Sequence, residues 1–254
     1  MQALRKKILK IHQLLVDAYG DPPRPRLDPV SELVSTILSQ NTNDTLRDRA
    51  YDRLRERYPT WEQVRDAPVR QIEKAIRVCG LSRQKAPRIK KALQHVTRER
   101  GALTLDFLRD LPVDEARQWL MSIDGVGPKT AAIVLLFSLN KPAFPVDTHV
   151  HRVTGRLGLI PPRASAEKAH VILEELVPAE LYLPFHLNVI VHGREVCHAR
   201  KPQCHACVLR RLCRYYAEVI RPQTRVPSVP RVPTAGTQGT QGTQGADLMI
   251  ETWA

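Results

Sequence analysis

Three observations predict an all-α fold. Apolar residues recur at helical spacing along most of the chain, nowhere do side chains alternate in the manner of a half-buried strand, and prolines and glycines fall where helices would start and stop. The 254 residues are 43% hydrophobic and 26% charged, ample for a buried core without disulfide support and unlike a disordered chain. No window approaches the apolar run that a bilayer requires, so no membrane partner is expected.

The elements follow in order. Leu4, Ile8, Ile11, Leu14 and Leu15 share helical spacing, and neither a continuous apolar stretch nor a small-residue cleavage site comes after them, so a domain helix is expected there instead of a signal peptide. Asp28 before Pro29 forms an N-cap with proline at the first helical position, and Val30, Leu33, Val34, Ile37 and Leu38 then share one face. Asn43 and Asp44 offer the next cap, for a helix with Leu46, Ala50 and Leu54 inward and Arg47, Arg49, Arg53, Arg55 and Arg57 around the rest. Further helices are predicted at 68–78, 86–97, 112–122, 129–140, 148–157, 165–177 and 181–192, with Gly80 as the stop after the first. The segment 129–140, KTAAIVLLFSLN, is apolar almost all round and too short to span a membrane, so it should be the central buried helix. From Pro222 the chain turns rich in Pro, Gly, Thr and Gln and carries a threefold TQG repeat, which predicts a disordered tail over 222–254.

Lys and Arg number 39 against 26 Asp and Glu, a formal net charge of +13. So large an excess calls for a polyanionic partner, and the predominance of arginine, whose planar fork pairs with phosphate oxygens two at a time, points toward nucleic acid. Four of the five cysteines crowd into Cys197, Cys204, Cys207 and Cys213, while Cys79 is remote and reads as a small core residue. This is no secreted disulfide scaffold, and a reducing compartment, the cytoplasm, is expected. Four thiolates so close together suit a metal centre. Structural zinc sites usually present two Cys-x2-Cys pairs, whereas here one pair stands between two lone cysteines, so the spacing favours a four-iron cluster with zinc as the alternative. The loop after Cys197 carries Arg200 and Lys201, cations pinned where they could meet phosphates.

Two further motifs carry chemistry. Ile123-Asp124-Gly125-Val126-Gly127-Pro128-Lys129-Thr130 joins two patterned helices, and its glycines allow a tight turn whose backbone N–H groups could face a phosphate. This is a helix–hairpin–helix reading. Lys129 then lies in the first turn of an apolar helix, near the positive end of its dipole, a poor place for a structural cation and a good one for an amine nucleophile. Asp147, ahead of the 148–157 helix, is an N-cap, and a carboxylate fixed there could also stabilise positive charge developing on a sugar ring.

Taken together, LSQNTND at 38–44, CGLSRQKA at 79–86, GVGPKTA at 125–131, VDTHVHRV at 146–153 and the cysteine segment at 192–213 resemble the helix–hairpin–helix DNA glycosylase superfamily, specifically its endonuclease III branch, over about residues 4–218. The resemblance implies two lobes: a six-helix lobe carrying the hairpin, over 29–141, and a lobe from 1–28 plus 142–221 closed by a four-iron, four-sulfur cluster. It implies that Lys129 is the Schiff-base lysine and Asp147 the essential aspartate of a bifunctional enzyme, one that excises a base and cleaves the strand by β-elimination. Leu81 falls on the family's apolar wedge, and Gln40 or Asn41 on its gap-filling residue. Gly125 and Gly127 fall on the phosphate-binding turn, with a monovalent cation implied at the hairpin. The implied partner is double-stranded DNA carrying a damaged base or abasic site, bound by a monomer. Oxidised or saturated pyrimidines, such as thymine glycol, are the expected substrates. The alternatives are a mismatch glycosylase acting on uracil or thymine opposite guanine and a non-catalytic DNA-binding module.

Overall fold

The computed structural model describes residues 2–23 and 27–221, so the tail predicted at 222–254 lies outside the described residues. The described residues form eleven α-helices and no strand: α1 (Gln2–Tyr19), α2 (Pro29–Ser39), α3 (Asp44–Arg57), α4 (Trp61–Asp66), α5 (Val69–Ile76), α6 (Ser82–Arg100), α7 (Val113–Met121), α8 (Pro128–Ile133), α9 (Thr148–Leu157), α10 (Ala166–Leu176) and α11 (Tyr182–Glu195). Side-chain caps set several starts. Asp28 accepts from the N–H groups of Val30 and Ser31, Asn43 from Leu46, Asp147 from Val150 and Ser165 from Lys168.

Three expectations are corrected. Helix α4 is absent from the periodicity reading because six residues offer too short a pattern; what starts it is a capping box, in which Thr60 and Gln63 satisfy each other's backbone N–H groups. Helix α6 begins at Ser82, a turn before the predicted residue 86, although Pro87 sits inside it. The proline forfeits one backbone hydrogen bond near the helix start, and the first turn is held instead by the fully buried Lys85 and Ala86. The central element is α-helical only to Ile133 and continues as a π-helical turn, Val134–Ser138.

That wider turn lies where two hydrophobic clusters meet. Leu135 packs into a cluster built from α2 to α8, with Leu33, Ile37, Leu54, Ile76 and Leu93 at its centre. Its neighbour Leu136 packs into a second one, with Ile8, Leu15, Leu173 and Phe185 from α1, α10 and α11 and Phe144 from the loop before α9. Consecutive residues thus serve both clusters, and α1 crosses from the far end of the sequence to complete the second. Two ion pairs tie the halves together: Arg117 of α7 to Glu174 of α10 at 2.8 Å, with both side chains about one-fifth exposed, and Asp44 of α3 to Arg194 of α11 at 2.6 Å. Glu174 also accepts from the N–H of Phe144, so the first pair is part of a hydrogen-bonded network in a largely dry setting.

Candidate active site and DNA interface

Between the two clusters opens a cleft walled by Thr36 of α2 and Gln40 just after it, Gly127 and the Pro128–Thr130 start of α8, Val146, and Ala166, Glu167 and His170 of α10. Lys129 is half-buried in its wall and so reaches an open space, not the apolar interior that its helix otherwise occupies. Its charge is felt by the Asp44 carboxylate, held below the usual carboxylate range by its hydrogen bond from Arg194 and by the Arg47 and Lys129 charges, against the cost of burial. Asp147 is half-buried, its Oδ1 accepting from the Val150 N–H at 2.7 Å. Behind it lies His186, whose Nδ1 meets the Pro145 carbonyl at 3.0 Å and whose pKa is driven down to about 4 by complete desolvation, with Asp147 opposing and Lys129 adding to the shift. Lys129 and Asp147 thus act on one buried imidazole from two sides of the sequence. Nothing in the helical pattern announces His186, since a histidine on the inner face of α11 reads as core.

Two loops flank this region. Gln40 lines the cleft, its Oε1 accepting from Arg88 at 3.1 Å, while Asn41 is exposed with φ +52°. Leu81 is 45% exposed with φ +49°, an apolar side chain on a left-handed backbone where leucine is strained. Both loops are tied to Lys85, whose Nζ donates to the carbonyls of Leu38 at 2.7 Å and Cys79 at 3.1 Å while 1% exposed. A buried ammonium with only carbonyl partners is costly, and here it joins the segment ending in Asn41 to the one ending in Leu81. Sequence reasoning missed it; a lysine between buried positions of a helix is the only signal available.

At the hairpin, Gly125 has φ +81°, a conformation that demands glycine, and Arg88 packs against its Cα side. Gly127 differs: its φ of −95° suits any residue, and a Cβ there would meet nothing inside the protein. Among the described residues no acceptor takes the backbone N–H of Gly127, Lys129 or Thr130. A glycine without an internal reason, beside free N–H groups, fits a close approach from outside. Asp124, the acidic residue of this turn, is answered by Lys91 at 3.4 Å.

Farther along, Cys197, Cys204, Cys207 and Cys213 are unpaired and line one cavity with Arg156, His192 and Tyr216. They do not converge as a single-ion site would among the described residues. Their sulfurs are supplied with donors: Arg156 Nη1 to Cys197 Sγ at 3.2 Å, the Tyr216 N–H to Cys213 Sγ at 3.5 Å, and His192 Nε2 lies 3.4 Å from Cys207 Sγ. Burial and mutual repulsion push the Cys204, Cys207 and Cys213 thiols up, Cys207 to about 11, as expected of thiolates gathered for a cation that must neutralise them. Four soft ligands that line one cavity without converging on a single point fit a multi-atom iron–sulfur group better than one zinc ion, whose thiolates would crowd at about 2.3 Å from a single centre. Arg156 also donates to the carbonyls of His198 and Ala199 at 2.7 and 3.0 Å, so the loop bearing the exposed Arg200 and Lys201 (φ +50°) is held from α9.

Residues 34–179 match the HhH-GPD superfamily of base excision DNA repair proteins, and residues 197–213 match the iron–sulfur binding domain of endonuclease III. Endonuclease III of Thermotoga maritima is 35% identical over 189 residues, covering 74% of this chain and 84% of that one. The chain belongs to the endonuclease III branch of this superfamily. A putative DNA glycosylase of Arabidopsis thaliana is 40% identical over 169 residues, covering 66% of this chain and only 58% of the plant protein. Among solved structures, a trapped endonuclease III–DNA covalent intermediate aligns with a TM-score of 0.74 at 31% identity over 85% of this chain and 99% of that one. A thermostable thymine-DNA glycosylase aligns at 0.68 and 26%, over 84% and 97%. Such neighbours place an endonuclease III fold around the Lys129 cleft, with the cysteine segment as its iron–sulfur domain.

Proposed function

We propose that this endonuclease III homologue is a bifunctional base-excision enzyme that removes oxidised or saturated pyrimidines, such as thymine glycol, from duplex DNA and then cleaves the strand at the abasic site. The observation that carries the reading is Lys129 in the wall of an open cleft between the two clusters, in a fold shared with an enzyme trapped covalently on DNA. Extrusion of the nucleotide costs a few kcal/mol and least for a base already poorly paired or stacked, which favours damaged pyrimidines before any pocket contact. Leu81 wedges beside the vacated site and the exposed Asn41 fills it, while Gln40 stays in the pocket wall. The Gly125–Gly127 turn and the Arg200–Lys201 loop hold the backbone by its phosphates.

The neutral amine of Lys129 attacks C1′ as the C1′–N bond breaks and the base leaves with its electron pair, taking up a proton. The C1′–O4′ bond then breaks, O4′ taking up a proton as the lysine nitrogen loses one and the imine forms; removal of a C2′ proton makes the C2′=C3′ bond, and the 3′ phosphate departs with the C3′–O electron pair. Asp147, fixed by its cap bond, stabilises the positive charge on the sugar as the base leaves. Cys197, Cys204, Cys207 and Cys213 would hold a four-iron, four-sulfur cluster beside the loop that carries Arg200 and Lys201. Binding as a monomer in the cytoplasm completes the reading.

Borohydride should trap wild-type protein on an abasic duplex, and Lys129→Gln should abolish trapping and strand cleavage while leaving the thermal melt unchanged. Asp147→Asn should slow excision of thymine glycol more than cleavage at a preformed abasic site. Absence of a wild-type adduct would sink the lyase. The likeness to the thymine-DNA glycosylase favours a second reading, a mismatch glycosylase for thymine or uracil opposite guanine, and a substrate panel with both lesion types separates the two.

A further inference from the structure

The cleft beside Lys129 contains a polar side chain that this chemistry does not use. His170, in the second turn of α10, lines the cleft and is 4% exposed. Its Nδ1 lies 2.9 Å from the Phe144 carbonyl, which can only accept, so Nδ1 carries the proton and Nε2 of the neutral ring is a bare acceptor. Desolvation holds its pKa below the ordinary histidine value, against the pull of the Phe144 carbonyl and Glu174, so the ring stays neutral. Nε2 has no hydrogen-bond partner among the described residues. Nor is it sealed in protein: among the described residues the enclosed, unpartnered side-chain atoms are His12 Nδ1, Arg55 Nη1, Arg117 Nε and Ser138 Oγ. An acceptor on a buried side chain that opens on a cleft and has no protein partner is free to take a donor that enters the cleft in place of water.

The same cleft supplies the complement. Gln40 spends its Oε1 on Arg88, which leaves its amide N–H groups to donate. An acceptor and an amide donor in one pocket match the edge of an imide, where a ring N–H stands beside carbonyl oxygens. Dihydrouracil, thymine glycol, uracil and thymine all present N3–H between two carbonyls; cytosine presents a bare N3, which would meet the His170 lone pair with repulsion.

We propose that His170 is a specificity-determining residue of this pocket, accepting the N3–H of the extruded base and so selecting imide-type pyrimidines. The inference rests on the reading of Lys129 as the nucleophile, because that places the leaving base in this cleft.

The test compares excision of 5,6-dihydrouracil, and of uracil opposite guanine, with excision of the same bases methylated at N3. Methylation weakens pairing and eases extrusion, so any loss arises in the pocket. Wild type should lose at least about tenfold in kcat/KM on the methylated base. His170→Leu should lose about tenfold on the unmethylated base and treat the two alike within about twofold. Trapping of His170→Leu on an abasic duplex should match wild type, since no base is present. The proposal is overturned if wild type excises methylated and unmethylated bases equally, if it excises neither imide base, or if His170→Leu keeps the full discrimination. Should the variant not fold, the wild-type comparison still decides. Failure of wild type to trap on the abasic duplex would refute the Lys129 reading instead, a result read independently of the methyl effect.

Discussion

At the residue scale, the half-buried Glu32 and the buried Lys85 set expectations for stability. Glu32 of α2 is held mostly out of water, and desolvation raises its pKa to about 7 in spite of the Thr36 hydrogen bond and the Arg47 charge. Its folded pKa exceeds the unfolded value of about 4.5, so its contribution is fully present below pH 4.5 and is lost as pH rises through 7. Glu32→Gln should therefore be more stable than wild type at pH 8, by about 2–3 kcal/mol, with the two converging near pH 4.5 in denaturant titrations. Lys85 makes a different prediction. Lys85→Ala deletes a fully buried stem and leaves the Leu38 and Cys79 carbonyls short of a donor, so it should destabilise by about 2–4 kcal/mol. Lys85→Met keeps the stem and relieves the buried charge, and should cost less than half as much in the same titration. Neither residue is legible from sequence as a special one, because the environment that makes each costly comes from other helices.

At the element scale, the caps and the turns show how much local chemistry can be read directly. Asp28, Asn43 and Asp147 are predicted as caps from their place before helical patterns, and each accepts the backbone N–H expected of it. The capping box at Thr60 follows the same rule but introduces too few turns for a periodic signal. The hairpin separates two kinds of glycine, and substitutions should do so as well. Gly125→Ala forces a side chain into the left-handed region and should cost about 1–2 kcal/mol of stability. Gly127→Ala should leave the melt unchanged, since its backbone is ordinary and its surroundings open, yet weaken binding to abasic-site duplex in a gel-shift titration. Equal melting of the two variants would contradict this division. The break of the central helix into α8 and a π-helical turn was not foreseeable from KTAAIVLLFSLN, whose uniform apolarity marks burial without saying that two separate clusters share it.

At the scale of the whole molecule, charge and assembly dominate. A chain of formal net charge +13 that meets phosphates releases counterions, so binding to undamaged duplex should weaken steeply and log-linearly with added salt, while a flat salt profile would argue against a phosphate-led interface. The composition, the helical periodicity, the caps and the cysteine spacing are all legible in the sequence, because each depends on neighbours within a turn or two of chain. The motifs also singled out Lys129 and Asp147, whose types suit the chemistry proposed for them. What only the tertiary structure decided is where separate stretches meet. It placed His170 in the cleft with Lys129, set His186 beneath Asp147, let Lys85 tie two loops together, and used Arg156 to hold the cysteine loop. These arrangements follow from packing between helices distant in sequence, where burial fixes a tautomer, raises or lowers a pKa, or leaves one lone pair unmet, and a one-dimensional pattern carries no record of which faces are pressed together.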